Sequence, residues 1–119
     1  MSERDTRLLI EDMLESAQKI KRYTDTMDYE AFLIDDKTVD AVVRNFEIIG
    51  EAANRLGQDF RDLHPGFEWN RIRGFRNRIV HVYFGIDYRI VWTIIETYLD
   101  DLIENLVSIT DKLKDGDQP

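Results

Sequence analysis

With 119 residues and 14.1 kDa, the chain has the size of about one domain and can bury a core without a metal or disulfide staple. It contains no cysteine, which excludes a disulfide framework, a thiol nucleophile, an iron–sulfur cluster and any zinc site built on thiolates. Its 43% hydrophobic and 34% charged residues suit an ordinary globular chain, and a net charge of −8 argues against a surface that binds nucleic acid everywhere.

The N-terminus carries Glu3, Asp5, Glu11 and Asp12 ahead of any long apolar stretch, unlike a secretory or transit leader. The first predicted helix runs from about Asp5 to Tyr23, with Ile10, Met13, Leu14, Ala17 and Ile20 at the spacing of one buried face. A short helix around Tyr29–Ile34 follows. Its Ala31-Phe32-Leu33-Ile34 is the longest uninterrupted apolar run, far below the ~18 residues of a membrane span, so no membrane role and a cytoplasmic protein are expected. Asp35 or Asp36 is then a good N-cap for a long helix with Val39, Val42, Val43, Phe46, Ile49, Ala53 and Leu56 as its stripe and Gly57 as its stop. Pro65 is the single internal breaker, in the turn-like His64-Pro65-Gly66. A third long helix is expected from near Phe67, past His81, to Gly85. Asp87 caps a last one from Tyr88 to about Lys114, apolar at Val91, Ile94, Ile95, Tyr98, Leu102, Ile103, Leu106 and Ile109. Without repeats or linkers, the expectation is one all-α domain over residues 1–119, an up-and-down bundle of four to five helices with a flexible tail from about 114.

Charge is unevenly spread. Residues 1–60 sum to −6 and residues 90–119 to −5, whereas residues 61–89 sum to +3, with Arg71, Arg73, Arg76 and Arg78 grouped and no acid among them. A polyanion would be met there, although four like charges also suit a solvated helix face. Of the two histidines, His64 precedes a proline in a turn and reads as a capping or surface residue. His81 lies among the arginines, in Arg73-Gly74-Phe75-Arg76-Asn77-Arg78-Ile79-Val80-His81-Val82-Tyr83. On a continuous helix, Ile72, Phe75, Ile79 and Val82 would share an ~80° arc. Arg73, Asn77 and His81 would stack as a polar ridge. Arg76 and Tyr83 would line up beside Trp69, Ile72 and Val80. A hydrogen-bonded surface histidine and a snorkelling arginine remain the plain alternative.

The string Arg76-Asn77-Arg78-Ile79-Val80-His81-Val82-Tyr83 has an Arg, four residues, a His, one residue and a Tyr. It resembles the signature of HepT, the toxin of a prokaryotic toxin–antitoxin pair in the HEPN superfamily of helical domains. The Asp-rich start of the second long helix, its Asn45-x-x-Ile48-Ile49-Gly50-Glu51-Ala52-Ala53 run, Trp69 and Asp87 look like that family too, and the likeness spans essentially residues 4–110. The motif alone is weakly specific; the whole constellation is strong. The resemblance implies a ribonuclease that needs no metal and no cofactor, with Arg76 and His81 catalytic. It implies a minimal nucleotidyltransferase antitoxin as partner, and Tyr83 as the residue which that partner modifies with AMP. It also implies a homodimer with a composite cleft. Arg73, Asn77 and Arg78 are the supporting RNA-binding candidates.

The chemistry is sensible in its own right. RNA carries its own nucleophile, the 2′-hydroxyl, so positioned acid–base groups suffice. A histidine near its reference pKa of ~6.5 can take the 2′-proton or protonate the leaving 5′-oxygen. An arginine can stabilise charge on the phosphoryl oxygens. A 2′,3′-cyclic phosphate product follows. Glu68 and Asp87, the nearest acids in sequence, make no ligand cluster with a single His81, so no metal site is expected. Five residues would set Arg76 and His81 about 140° apart on one helix, which favours a site shared by two copies. Two rival readings are a catalytically idle helical module that docks or presents substrate to the nucleotidyltransferase, and, ranked last, a DNA binder.

Overall fold

The computed structural model describes residues 3–81 and 85–116; of His81 it describes the backbone alone. The described residues include eight helices and one pair of short antiparallel strands, in an envelope of 50 × 30 × 21 Å. The all-α expectation holds. The helix α1 (Glu3–Thr24) packs against α3 (Asp36–Arg55) on one side and α8 (Leu99–Gly116) on the other. The stripes read from sequence form the core, since Ile10, Met13, Ala17, Ile20, Val42, Phe46, Ile49 and Leu102 are fully buried or nearly so. Among the described residues no helix is long and apolar enough to cross a membrane.

Aspartates set the helix starts. Asp28 Oδ1 accepts from the Ala31 backbone at 2.8 Å and opens α2 (Tyr29–Leu33). Asp35 Oδ1 accepts from the Thr38 N–H at 3.0 Å and opens α3, and that hydrogen bond holds the Asp35 carboxyl below its ordinary pKa. Asp87 Oδ1 accepts from the Ile90 N–H at 3.1 Å and opens α7 (Tyr88–Thr97).

Three expectations are corrected. The helix expected from Phe67 to Gly85 is two short helices, α5 (Trp69–Arg73) and α6 (Phe75–Ile79), followed by the strand β1 (Val80–His81). Gly74, a poor helix former, sits between them at φ −91° and ψ 5°. Beyond Ile79 the backbone opens to φ −113° and ψ 118° at Val80, and β1 pairs antiparallel with β2 (Gly85–Ile86). The β-branched Val80 favours that conformation over a helix end. Gly85 turns at φ +73°, which a side chain rarely allows. The helix expected from Tyr88 to Lys114 breaks at Tyr98, whose φ of −130° leaves the helical region; α8 continues to Gly116, and the end of the expected tail, residues 117–119, lies outside the described residues. α3 ends at Arg55 with Leu56 as its cap, just before Gly57 as expected, but Gly57 is not itself a left-handed cap. At φ −68° and ψ 151° it is extended and opens a further helix, α4 (Gln58–Asp62).

The arginine-bearing helices are docked on α3 by packing at two places. The Phe75 ring meets Phe46 edge-on, centroids 5.2 Å apart. Gly50 lets the α5 backbone approach, since a β-carbon there would stand 3.3 Å from the Ile72 carbonyl oxygen. α5 is also tied to the preceding turn, where Trp69 Nε1 donates to the carbonyls of Arg61 (3.1 Å) and His64 (3.0 Å).

Candidate active site

The core stripe of the basic segment is as expected, with Ile72, Phe75 and Ile79 buried, while Val82 lies outside the described residues. The side chains between those positions face outward. Arg76, Asn77 and Arg78 on α6 are exposed, and none makes a side-chain hydrogen bond or ion pair among the described residues. Arg73, in the last turn of α5, is also exposed, and its Nε donates to Asn54 Oδ1 of α3 at 2.7 Å. Arg71 is different: it meets Glu68 at 3.1 Å and lies over the Tyr98 ring, 4.8 Å from its centroid. Burial raises the Tyr98 pKa, with the Glu68 charge adding to it, so the phenol under Arg71 stays protonated at neutral pH.

The expected polar ridge does not exist as a ridge. Arg73 ends α5, Asn77 lies in α6 and His81 belongs to β1, because the helix is interrupted at Gly74 and ends at Ile79. The ~140° separation of Arg76 and His81 on one helix therefore no longer applies. Nor does Arg76 stand among apolar side chains awaiting an interface. Trp69, 8% exposed, and Ile72, 0% exposed, are already covered by the chain itself. The backbone brings His81 to the strand that leaves α6, opposite Gly85. The His81 side chain and the whole of Tyr83 lie outside the described residues.

His64 has no place in this cluster. Its ring packs 4.7 Å from Phe60, and burial, with Lys112 nearby, pushes its pKa below the ordinary value and keeps it neutral at pH 7. Among the described residues no group of His, Asp and Glu could hold a metal ion.

Arg73, Arg76 and Arg78, exposed and without acidic partners among the described residues, form an outward basic patch on a helical body, with the strand that holds His81 next in the chain. The family model described as ribonuclease HepT-like matches residues 13–109, and the chain belongs to that family. Among its relatives, the provisionally named RNase MJ1380 of Methanocaldococcus jannaschii is 41% identical over 81% of this chain and 88% of its own length. RNase MJ0127 of the same organism, also provisionally named, is 34% identical over 99% of this chain and 98% of its own. A protein of Thermococcus cleftensis named probable ribonuclease HepT is 38% identical over 78% and 84%. No solved structure matches the chain.

Proposed function

We propose that this chain is a metal-independent endoribonuclease toxin, one HEPN-like domain over residues 1–119, acting in the cytoplasm and restrained by a minimal nucleotidyltransferase antitoxin. The observation that carries the reading is the charge arrangement. Arg73, Arg76 and Arg78 are exposed on α5 and α6 with no carboxylate paired to them among the described residues, on a chain of net charge −8. Some surface cations elsewhere do face carboxylates, as Arg44 does with Glu47 and Glu51 and Lys21 with Asp25 and Asp100. A positive patch left open in an acidic protein suits a polyanion that binds at one place only.

In this mechanism His81 moves the proton of the 2′-hydroxyl or of the leaving 5′-oxygen, and Arg76 stabilises the charge that develops on the phosphoryl oxygens. Asn77, Arg73 and Arg78 hold the strand. The 2′-oxygen forms its bond to phosphorus as the bond to the 5′-oxygen breaks, leaving a 2′,3′-cyclic phosphate and a 5′-hydroxyl. Incubation with RNA in excess EDTA should leave cleavage intact. Activity that vanishes in EDTA and returns with a divalent ion would overturn the metal-free mechanism, and no cleavage by the intact chain would favour the idle docking module.

The site is shared in a homodimer. Cleavage involves two proton transfers, one at each oxygen, and each chain offers one candidate histidine, His81. Two-fold pairing is the commonest assembly and doubles both groups around one groove. Light scattering should report about twice the 14.1 kDa chain mass.

Tyr83 is the acceptor for AMP from the nucleotidyltransferase. It is two residues from His81 and seven from Arg76 in sequence, so an added phosphate would compete for the arginines that meet RNA. Co-expression with the partner should add mass in multiples of AMP to the peptide holding Tyr83. Equal modification of a Tyr83→Phe chain would end this assignment.

A further inference from the structure

We infer that the groove between α4 and α5 is a second phosphate subsite for RNA, which holds a part of the strand other than the phosphate that is cut. The inference rests on the ribonuclease reading and extends it from Arg73, which that reading already uses, to Arg61 and the groove beside it, which it does not. The groove encloses about 540 Å³ and is lined by Gln58, Arg61, Trp69, Asn70, Arg71 and Arg73 among others, within the usual size of small-ligand sites (about 300–1,000 Å³).

What sets two of its arginines apart is the chemistry of their partners. Arg61 Nη1 donates to the carbonyl oxygens of Ala53 (3.1 Å) and Leu56 (2.7 Å), and its Nη2 donates to Gln58 Oε1 (2.9 Å). Arg73 Nε donates to Asn54 Oδ1 at 2.7 Å. All four acceptors are neutral. A guanidinium fixed by neutral oxygens is oriented, yet it keeps its whole charge for an incoming anion. Neither arginine has an ion pair among the described residues.

The groove's carboxylates do not cancel that charge. Glu68 is matched by Arg71 at 3.1 Å. Asp62 accepts from Gln58 Nε2 at 2.8 Å, and as the one remaining acid it faces two unmatched arginines. The groove is thus net positive and preordered. Arg73 ends α5, Gly74 follows, and Arg76 is the second residue of α6, so a strand held at the groove continues toward the α6 arginines.

The test replaces the neutral clamp by a charged one. Asn54 is exposed, so Asn54→Asp keeps an acceptor for Arg73 while neutralising it, without disturbing the core. Arg61 is a poor target for this purpose because it also satisfies the end of α3. Binding of a 2′-O-methyl RNA oligomer, which cannot be cut by 2′-attack, is measured by fluorescence anisotropy over a range of salt for the wild type, Asn54→Asp, Arg73→Gln and the double variant. Asn54→Asp should raise Kd about three- to tenfold and flatten the slope of log K against log salt by about 0.7, the value for one lost contact to a single strand. In the Arg73→Gln background the same substitution should have little further effect, because the charge it cancels is gone. An unchanged slope, or an Asn54→Asp effect that persists in full without Arg73, overturns the subsite. Cleavage of unmodified RNA by the wild type is scored separately. Cutting with unaltered binding by the groove variants removes the subsite and leaves the nuclease; groove-dependent binding without cutting does the reverse.

Discussion

Replacing His81 by alanine should lower kcat/KM for RNA by about 10²–10⁴-fold, the usual contribution of a positioned acid–base group. Arg76→Ala should cost about 10²–10³-fold, the contribution of one preorganised donor to a developing oxyanion. Neither loss should come from unfolding. Arg76 is exposed and makes no side-chain hydrogen bond or ion pair among the described residues, and alanine is the better helix former, so the melting temperature should stay the same or rise slightly. Arg76→Lys keeps the charge and loses the planar fork, and should recover only part of the rate. Mixing the Arg76→Ala and His81→Ala chains separates a shared site from two independent ones. If Arg76 of one protomer works with His81 of its partner, random pairing should restore part of the activity, in heterodimers that keep one Arg76 and one His81. If both groups of a site come from one chain, mixing restores nothing. Full-rate cleavage by either single variant would remove that residue from the catalytic step.

The sequence is most legible where one local interaction decides the outcome. Asp35 and Asp87 cap helices because each carboxylate accepts from the N–H three residues on, a contact readable from residue type and position alone. The stripes on α1 and α3 are equally plain, because periodic burial is a property of one element. Failures occur where two local preferences compete and a distant partner chooses. Ile90-Val91-Trp92 has strand character, yet it is helical as expected behind the Asp87 cap, with Trp92 packed 5.2 Å from Phe32 of α2 and Arg89 over Tyr29 at 4.0 Å. The failure is at Val80–His81, expected as helix, which goes the other way because Gly85 and Ile86 supply a strand to pair with.

The same distinction runs through the candidate site. The arginines of α6 could be picked out from sequence because they are adjacent and lack neighbouring acids. The clamp between Arg73 and Asn54 could not, because its two residues lie 19 apart and neither carries a motif. Arg61 reads as an isolated surface charge until α4, a helix without a predicted apolar stripe, turns it back onto the last carbonyls of α3.

The largest loss of stability is expected one residue from the proposed catalytic arginine. Phe75 is 0% exposed, with its ring edge-on to Phe46 at 5.2 Å and to Tyr98 at 6.3 Å. Phe75→Ala removes that packing and leaves a cavity under α6, at a cost of about 3–5 kcal/mol. A domain of this kind holds about 5–15 kcal/mol in all, so the melting temperature should fall by roughly 10–20 °C. Phe75→Leu refills most of the volume and should cost about 1–2 kcal/mol. Helix α6 is five residues long, too short to persist by its own propensity, and among the described residues Phe75 and Ile79 are its buried anchors. Freed from α3, it would no longer hold Arg76, Asn77 and Arg78 on one surface. Activity should therefore decline together with the folded fraction as Phe75→Ala is warmed, whereas Arg76→Ala should be inactive while fully folded. Calorimetry alongside an RNA-cleavage assay separates the two, and a melting shift of less than about 3 °C for Phe75→Ala would mean that α6 is held in place by something other than its aromatic contact with α3.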